Sequence, residues 1–184
     1  MGHRRKGREL ALQGLYMHET VRAPYEQLID FSWSEEEIPA DIADYARKLI
    51  TGVLDKQDDI DKLIVEYSRN WSLERIGAVD KAILRLSIYS LIFDQDIPAA
   101  VTINEAIELG NDTEYGLVSY VFSTNEKSIR QLSEELEFGE VQVNGVKYAI
   151  YLPHGGVKES GIGHDCSYLA LHDYLVKKRI TTAL

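Results

Sequence analysis

What is scarce in this chain narrows it first. One cysteine among 184 residues excludes a disulfide framework within a single chain and fits a reducing, cytoplasmic compartment. No apolar run approaches the roughly 18 residues of a membrane span, and no apolar h-region follows the basic start, so neither a span nor a signal peptide is expected. Cations are short as well: 20 Lys and Arg face 30 Asp and Glu, a formal charge of −10. That balance argues against bulk affinity for nucleic acid. Residues 1–110 carry 13 basic and 20 acidic side chains, and residues 111–184 carry 7 and 10, so neither part is basic. Any grip on a nucleic-acid backbone has to come from a local patch working against the surrounding field.

A hydrophobic content of 45% is ordinary for a folded protein, and the length suits one domain or two small ones. One basic patch exists, His3-Arg4-Arg5-Lys6-Gly7-Arg8. The helix that follows places Leu12, Leu15, Tyr16 and Glu19 on one side. Read plainly, the patch is a solvated charge run; read functionally, it is an arginine-rich arm that holds phosphates. Tyr16 is either a core aromatic with its hydroxyl at the surface or a platform on which an unpaired base stacks. Pro24 ends this first helix, a short amphipathic segment covers Tyr25 to Phe31, and Trp33 begins an acidic loop. Pro39 opens a helix with Ile42, Tyr45, Ala46, Leu49, Ile50 and Val53 on one face; the next turns Ile60, Leu63, Ile64 and Tyr67 inward.

The stretch Trp71 to Leu109 organises the rest. Leu73, Ile76, Val79, Ile83, Leu86 and Leu91 or Ile92 recur at steps of three and four, with Leu84, Ile88 and Tyr89 on the flank. That stripe predicts one long helix, capped at Ser72 and set deep in a bundle. Asp80 and Lys81 fall on its polar side. Pro98 closes the connection to a second helix, for which Thr102 and Glu105 have the spacing of a capping box.

Three separated words, Arg4-Arg-Lys-Gly-Arg-Glu-Leu-Ala-Leu-Gln-Gly-Leu-Tyr, Val79-Asp-Lys-Ala-Ile-Leu-Arg-Leu and Ile97-Pro-Ala-Ala-Val-Thr-Ile-Asn-Glu-Ala-Ile-Glu-Leu, resemble the NusB transcription antitermination factors in order and distance. The resemblance covers Met1 to about Gly110. It implies two small helical bundles packed together. It also implies that Arg4, Arg5, Lys6, Arg8 and Tyr16 help bind single-stranded boxA-like RNA, with Asp80 and Lys81 beside that surface. There Lys81 would meet a phosphate and Asp80 would orient a base or a basic neighbour. The partner it implies is NusE, a ribosomal small-subunit protein.

A NusB-like chain would continue into a last amphipathic helix of the type Lys-Phe-Val-Asn-Gly-Ile-Leu, which this sequence lacks. From Asn111 it reads instead Asn-Asp-Thr-Glu-Tyr-Gly-Leu and later Gly155-Gly-Val-Lys-Glu-Ser-Gly, words that resemble the C-terminal piece of an aldehyde dehydrogenase. His154 stands where that family usually has phenylalanine. The word Glu105-Ala-Ile-Glu-Leu suits both families, so the chain reads as a chimera joined there, by deliberate recombination, a natural gene fusion or an assembly error. Val118 to Phe122 and Glu140 to Asn144 are expected as strands around a Glu126 to Glu137 helix. Residues 175–182 are expected as a further strand, resembling the segment that pairs between dehydrogenase subunits and inviting self-association. With the last helix lost, a groove lined by Leu and Ile should lie open on the helical part unless the tail covers it.

Catalytic chemistry is not legible. Cys166 is the sole cysteine and follows the glycine-rich word, away from a nucleophile position. The glycines make no Gly-x-Gly-x-x-Gly turn, and His3, His18, His154, His164 and His172 show no metal spacing. The expectation is an α+β chain. Residues 1–110 form an all-α, NusB-like RNA-binding domain, and residues 111–184 a small βαβ dehydrogenase-like fragment with a C-terminal strand. No catalytic residues, cofactor or metal are expected. The alternatives are an NAD(P)-dependent aldehyde dehydrogenase fragment or subunit, or an inactive structural chimera.

Overall fold

The computed structural model describes residues 2–68, 72–94, 97–147 and 149–182. The chain divides into two compact units, Met1–Asp112 and Thr113–Leu184. Trp71, the start of the organising stretch, lies outside the described residues.

The first unit is helical: α1 (His3–Val21), α2 (Tyr25–Asp30), α3 (Ala40–Asp55), α4 (Gln57–Tyr67), a 3-10 turn (Leu73–Arg75), α5 (Ala78–Ile92) and α6 (Ala99–Asn111). Its core is the seam between α1 and α3. Leu10, Ala11 and Leu15 meet Ala43, Ala46, Leu49, Ile50 and Val53, and Leu28 and Phe31 close one end. Small residues on α1 set the spacing. A Cβ on Gly7 would come within 2.7 Å of Tyr45 Cδ1, and one on Gly14 within 2.9 Å of Ile50 Cδ1. Both are shorter than side-chain carbons pack, so these glycines let the two helices approach closely. Trp33 leans edge-on against Phe31 with ring centroids 5.9 Å apart and packs on the same core.

Several local expectations are corrected. The long helix does not start at Ser72. That residue leads only into the 3-10 turn, and α5 begins after Gly77, whose extended φ/ψ interrupts the helix. Thr102 and Glu105 form no capping box, because Pro98 already caps α6. The Pro98 carbonyl accepts from Val101 and Thr102, which leaves Thr102 inside the helix. The inward face of α5 is also not the aliphatic stripe. Lys81, Ala82, Arg85, Leu86 and Ser90 are buried, while Val79, Leu84, Leu91 and Ile92 are exposed. Two buried cations rotate the helix, since each has acidic partners waiting on neighbouring helices and would be costly to bury unpaired. Tyr67 is exposed, not inward.

The second unit is sparer. β1 (Tyr115–Gly116) pairs antiparallel with β4 (Val157–Lys158), and β2 (Val118–Val121) pairs parallel with β3 (Glu140–Val143) across α7 (Glu126–Glu135). The β2–α7–β3 order is the expected βαβ fragment, with Val118 opposite Glu140 and Val121 opposite Val143. Asn125 caps α7 by accepting from the Ser128 N–H at 3.0 Å. A 3-10 segment, Tyr168–Tyr174, precedes the tail. Residues 175–182 form no strand, contrary to expectation, and Val176 is 94% exposed. Alternating apolar residues favour an extended chain, but a strand exists only where a neighbour takes up its backbone hydrogen bonds.

Candidate nucleic-acid interface

Helix geometry presents the arm. Arg5, Glu9, Leu12, Tyr16 and Glu19 recur at steps of three and four, so they line one face of α1; at 1.5 Å per residue, Tyr16 lies about 16 Å along the axis from Arg5. Arg4 and Lys6 flank Arg5 on either side. Arg4 is exposed and makes no ion pair among the described residues. Tyr16 is 42% exposed, which leaves ring surface open to solvent. The basic start of α1 has no acidic residue in its first turn, so arm charge and helix dipole both favour an anion there.

The other cations are engaged. Arg5 Nε donates to Glu9 Oε1 at 3.1 Å, and its Nη1 lies 3.4 Å from Glu108 Oε2 on α6. Lys6 Nζ donates to Glu36 Oε2 at 2.8 Å, from the loop before α3, and its hydrogen bond holds the Glu36 carboxyl below the usual carboxylate range. His3 pairs with Asp41 at the start of α3. Arg8 is 4% exposed, pairs with Glu105 and lies over the Tyr45 ring, 5.5 Å from its centroid. Burial pushes the Glu105 carboxyl up against the pull of Arg8. Around this pair, Arg8 Nη2, Glu105 Oε2, Thr102 Oγ1 and the Tyr45 hydroxyl are buried without a hydrogen-bond partner among the described residues. Arg5, Arg8, Glu105, Glu108, Leu109 and Asp112 line one small crevice between α1 and α6.

The far end of the same α1 face holds a second cluster. Lys81, 7% exposed, donates to Glu19. Arg85 Nη1 donates to Glu19 Oε2 at 2.9 Å, while its Nε and Nη2 grip both oxygens of Asp61, each at 2.8 Å. The hydrogen bond from Lys81, with Arg85 beside it, holds the Glu19 carboxyl below its usual range. Asp80 is exposed at the first turn of α5 and folds back over Gly77; desolvation of its carboxyl raises its pKa. The structure therefore brings Arg4, Arg5, Lys6 and Tyr16 to accessible positions along α1, and turns Arg8 and Lys81 inward.

Sequence reasoning missed Glu19, Asp61 and Arg85 as one network, and Glu36, Glu105 and Glu108 as counter-charges of the arm. Of the arm's ion pairs, only Arg5–Glu9 has a local signal in the sequence, unread there, because both residues lie within one helix turn; the other partners come from distant elements. In the second unit, His154 Nδ1 lies 2.7 Å from Glu140 Oε2, and the two residues brace the glycine-rich loop against β3. Among the described residues, no group of three or more His, Cys, Asp or Glu side chains could hold a metal ion, and no helix is long and apolar enough to cross a membrane.

The described geometry can be set beside known proteins. The aldehyde dehydrogenase family profile matches residues 97–180. A succinate-semialdehyde dehydrogenase from Burkholderia pseudomallei is 39% identical over 40% of this chain with a TM-score of 0.39, and the chain spans 16% of that enzyme. The NusB family profile matches residues 5–118, so the two matched ranges overlap at 97–118, around the shared word Glu105–Leu109. The transcription antitermination protein NusB of Myxococcus xanthus is 43% identical over 116 residues, covering 61% of this chain and 83% of that protein. A Thermotoga maritima NusB structure superposes with a TM-score of 0.55 at 33% identity, covering 72% of this chain and 87% of that one. Helical fold and sequence agree, and the chain belongs to the NusB family.

Proposed function

We propose that this chain is a transcription antitermination factor whose helical unit binds single-stranded, boxA-like RNA along α1. One observation carries the reading: Arg4, Arg5 and Lys6 occupy the solvent-facing first turn of a helix that also presents Tyr16, in a chain whose net charge is −10. Phosphates meet the three cations, and an unpaired base stacks on Tyr16. Arg8 and Lys81 contribute to the same surface only by leaving Glu105 and Glu19, and Asp80 borders it. The partner in this reading is NusE, the ribosomal small-subunit protein, and the setting is the cytoplasm.

The test is the affinity of the full chain for a boxA-like oligonucleotide beside a scrambled one of equal length, across a range of salt. The boxA-like RNA binds tighter, and Arg4→Gln weakens binding and reduces the slope of log affinity against log salt by about 0.7. Equal affinities for the two RNAs, or no effect of Arg4→Gln, would remove the reading.

Residues 113–184 act in this proposal as a dehydrogenase-derived segment without catalysis, open to self-association through 175–182. The only cysteine, Cys166, sits in a left-handed turn with φ of 61° beside Ser167 at 55°, after the glycine-rich loop. Oxidation of an aldehyde followed by nicotinamide absorbance, lost in Cys166→Ala, would replace this with the enzyme reading.

A further inference from the structure

We propose that Glu108 and Glu36 act as built-in competitors of RNA phosphate, holding Arg5 and Lys6 until a nucleic-acid backbone displaces them, and so set the affinity of the arm. The inference rests on the RNA-binding reading above and adds residues that it does not use.

Carboxylates counter the cations of the arm from several elements. Glu108 comes from α6, Glu36 from the loop before α3, Asp41 from the start of α3, and Glu9 from α1 itself. A carboxylate and a phosphate offer a guanidinium or an ammonium the same kind of acceptor oxygen, so they compete for one site. Exposure separates the two arginines. Arg5 and Glu108 are 41% and 54% exposed in their side chains, and Lys6 and Glu36 are 44% and 71% exposed. Pairs this wet are weak and exchange readily. Arg8 and Glu105 are 5% and 22% exposed, and pulling that pair apart would leave a buried charge alone. Arg5 and Lys6 can therefore change partner while Arg8 stays and anchors the first turns of α1 against α6. Glu9 keeps its hold on Arg5 Nε when Glu108 lets go of Nη1, so the guanidinium remains oriented along the α1 face.

The arrangement changes what salt does. A cation already paired to a carboxylate exchanges one anion for another when RNA arrives, and the released carboxylate gathers solution cations as the phosphate sheds them. The affinity of the native chain then varies less with salt than its count of arm cations implies.

The experiment measures binding of the boxA-like oligonucleotide to the full chain carrying Glu108→Gln, Glu36→Gln, both, or Glu66→Gln on α4 as a charge-matched control. Each arm-side variant tightens binding by about two- to fivefold at low salt, and the salt slope steepens by up to about 0.7. Both substitutions lie at exposed positions, and an unchanged thermal melt confirms the fold. In an Arg5→Gln background the gain from Glu108→Gln disappears, which a general loss of negative charge would not produce. A gain from Glu66→Gln equal to that of Glu108→Gln, or a Glu108→Gln gain undiminished by Arg5→Gln, overturns the proposal. Binding that no arm-side variant tightens overturns it while leaving the RNA reading intact; absence of binding in native and variant chains removes both.

Discussion

The two units of this chain solve the same problem with unequal means. In residues 1–112, Leu28, Leu49, Ile50 and Val53 are wholly removed from water around an α1–α3 seam that glycines draw tight. In residues 113–184, Val121 is the one large aliphatic side chain that is buried among the described residues, and α7 buries none. The second unit relies on backbone pairing and caps: two-stranded ladders, the Asn125 cap and the His154–Glu140 contact. Hydrogen bonds exchanged with water add little net stability, whereas burial of aliphatic surface adds about 25 cal/mol per Å². The helical unit is held by a packed seam of helix faces. The two-stranded ladders of the second unit hold their local shape with little buried core.

The sharpest way to break this comparison is at the polar network of the first unit. Arg85→Ala leaves the half-buried Asp61 without its bidentate partner and Glu19 with Lys81 alone. The expected loss is about 3–5 kcal/mol in chemical denaturation of the helical transition, and a smaller loss would mean that water already reaches the cluster. Next, Gly14→Val drives a side chain into Ile50 and should cost about 1–3 kcal/mol in the same transition, with no change in the segments of the second unit that a protease finds. The contrast between units sharpens with Val121→Ala. It removes the one large aliphatic side chain buried among the described residues of the second unit, and should speed proteolytic nicking within 113–184 several-fold while leaving the helical melt unchanged. Limited proteolysis of the native chain should already cut residues 175–182 first.

The smallest expected effect is on pH. Glu19 has a folded pKa below its ordinary 4.5, so the stability it contributes is present above that value and is lost as pH falls through the depressed one. Glu105 has a raised folded pKa; its contribution is present below 4.5 and lost as pH rises through the raised value. Acid denaturation followed by circular dichroism should therefore shift to lower pH in Glu105→Gln relative to Glu19→Gln, each compared with the native chain at neutral pH. The reverse order would mean that the two carboxylates had been assigned the wrong environments.

Much of the architecture could be read in advance. The α3 face of Ile42, Ala46, Leu49, Ile50 and Val53 was plain from spacing, and so was the β2–α7–β3 order from apolar runs either side of a polar helix. The α5 face was not. Its sequence holds more aliphatic residues than one face can bury, so periodicity has no means to choose between the Val79–Leu91 side and the Lys81–Arg85 side. The choice fell to Glu19 and Asp61, residues on other helices. The candidate interface divides in the same way. The arm announces itself as a run of cations, yet nothing local distinguishes the exposed Arg4 from the buried Arg8.

By itself, the sequence determined family membership, the helical character of the described residues of the first unit and the run of cations from Arg4 to Arg8. These are properties of words and periods, which adjacent residues carry whole. Only the tertiary structure decided which cations face solvent, which carboxylates hold them and that residues 175–182 form no strand. Each of those depends on what an element meets across space, and a charge or a strand edge takes its meaning from that neighbour.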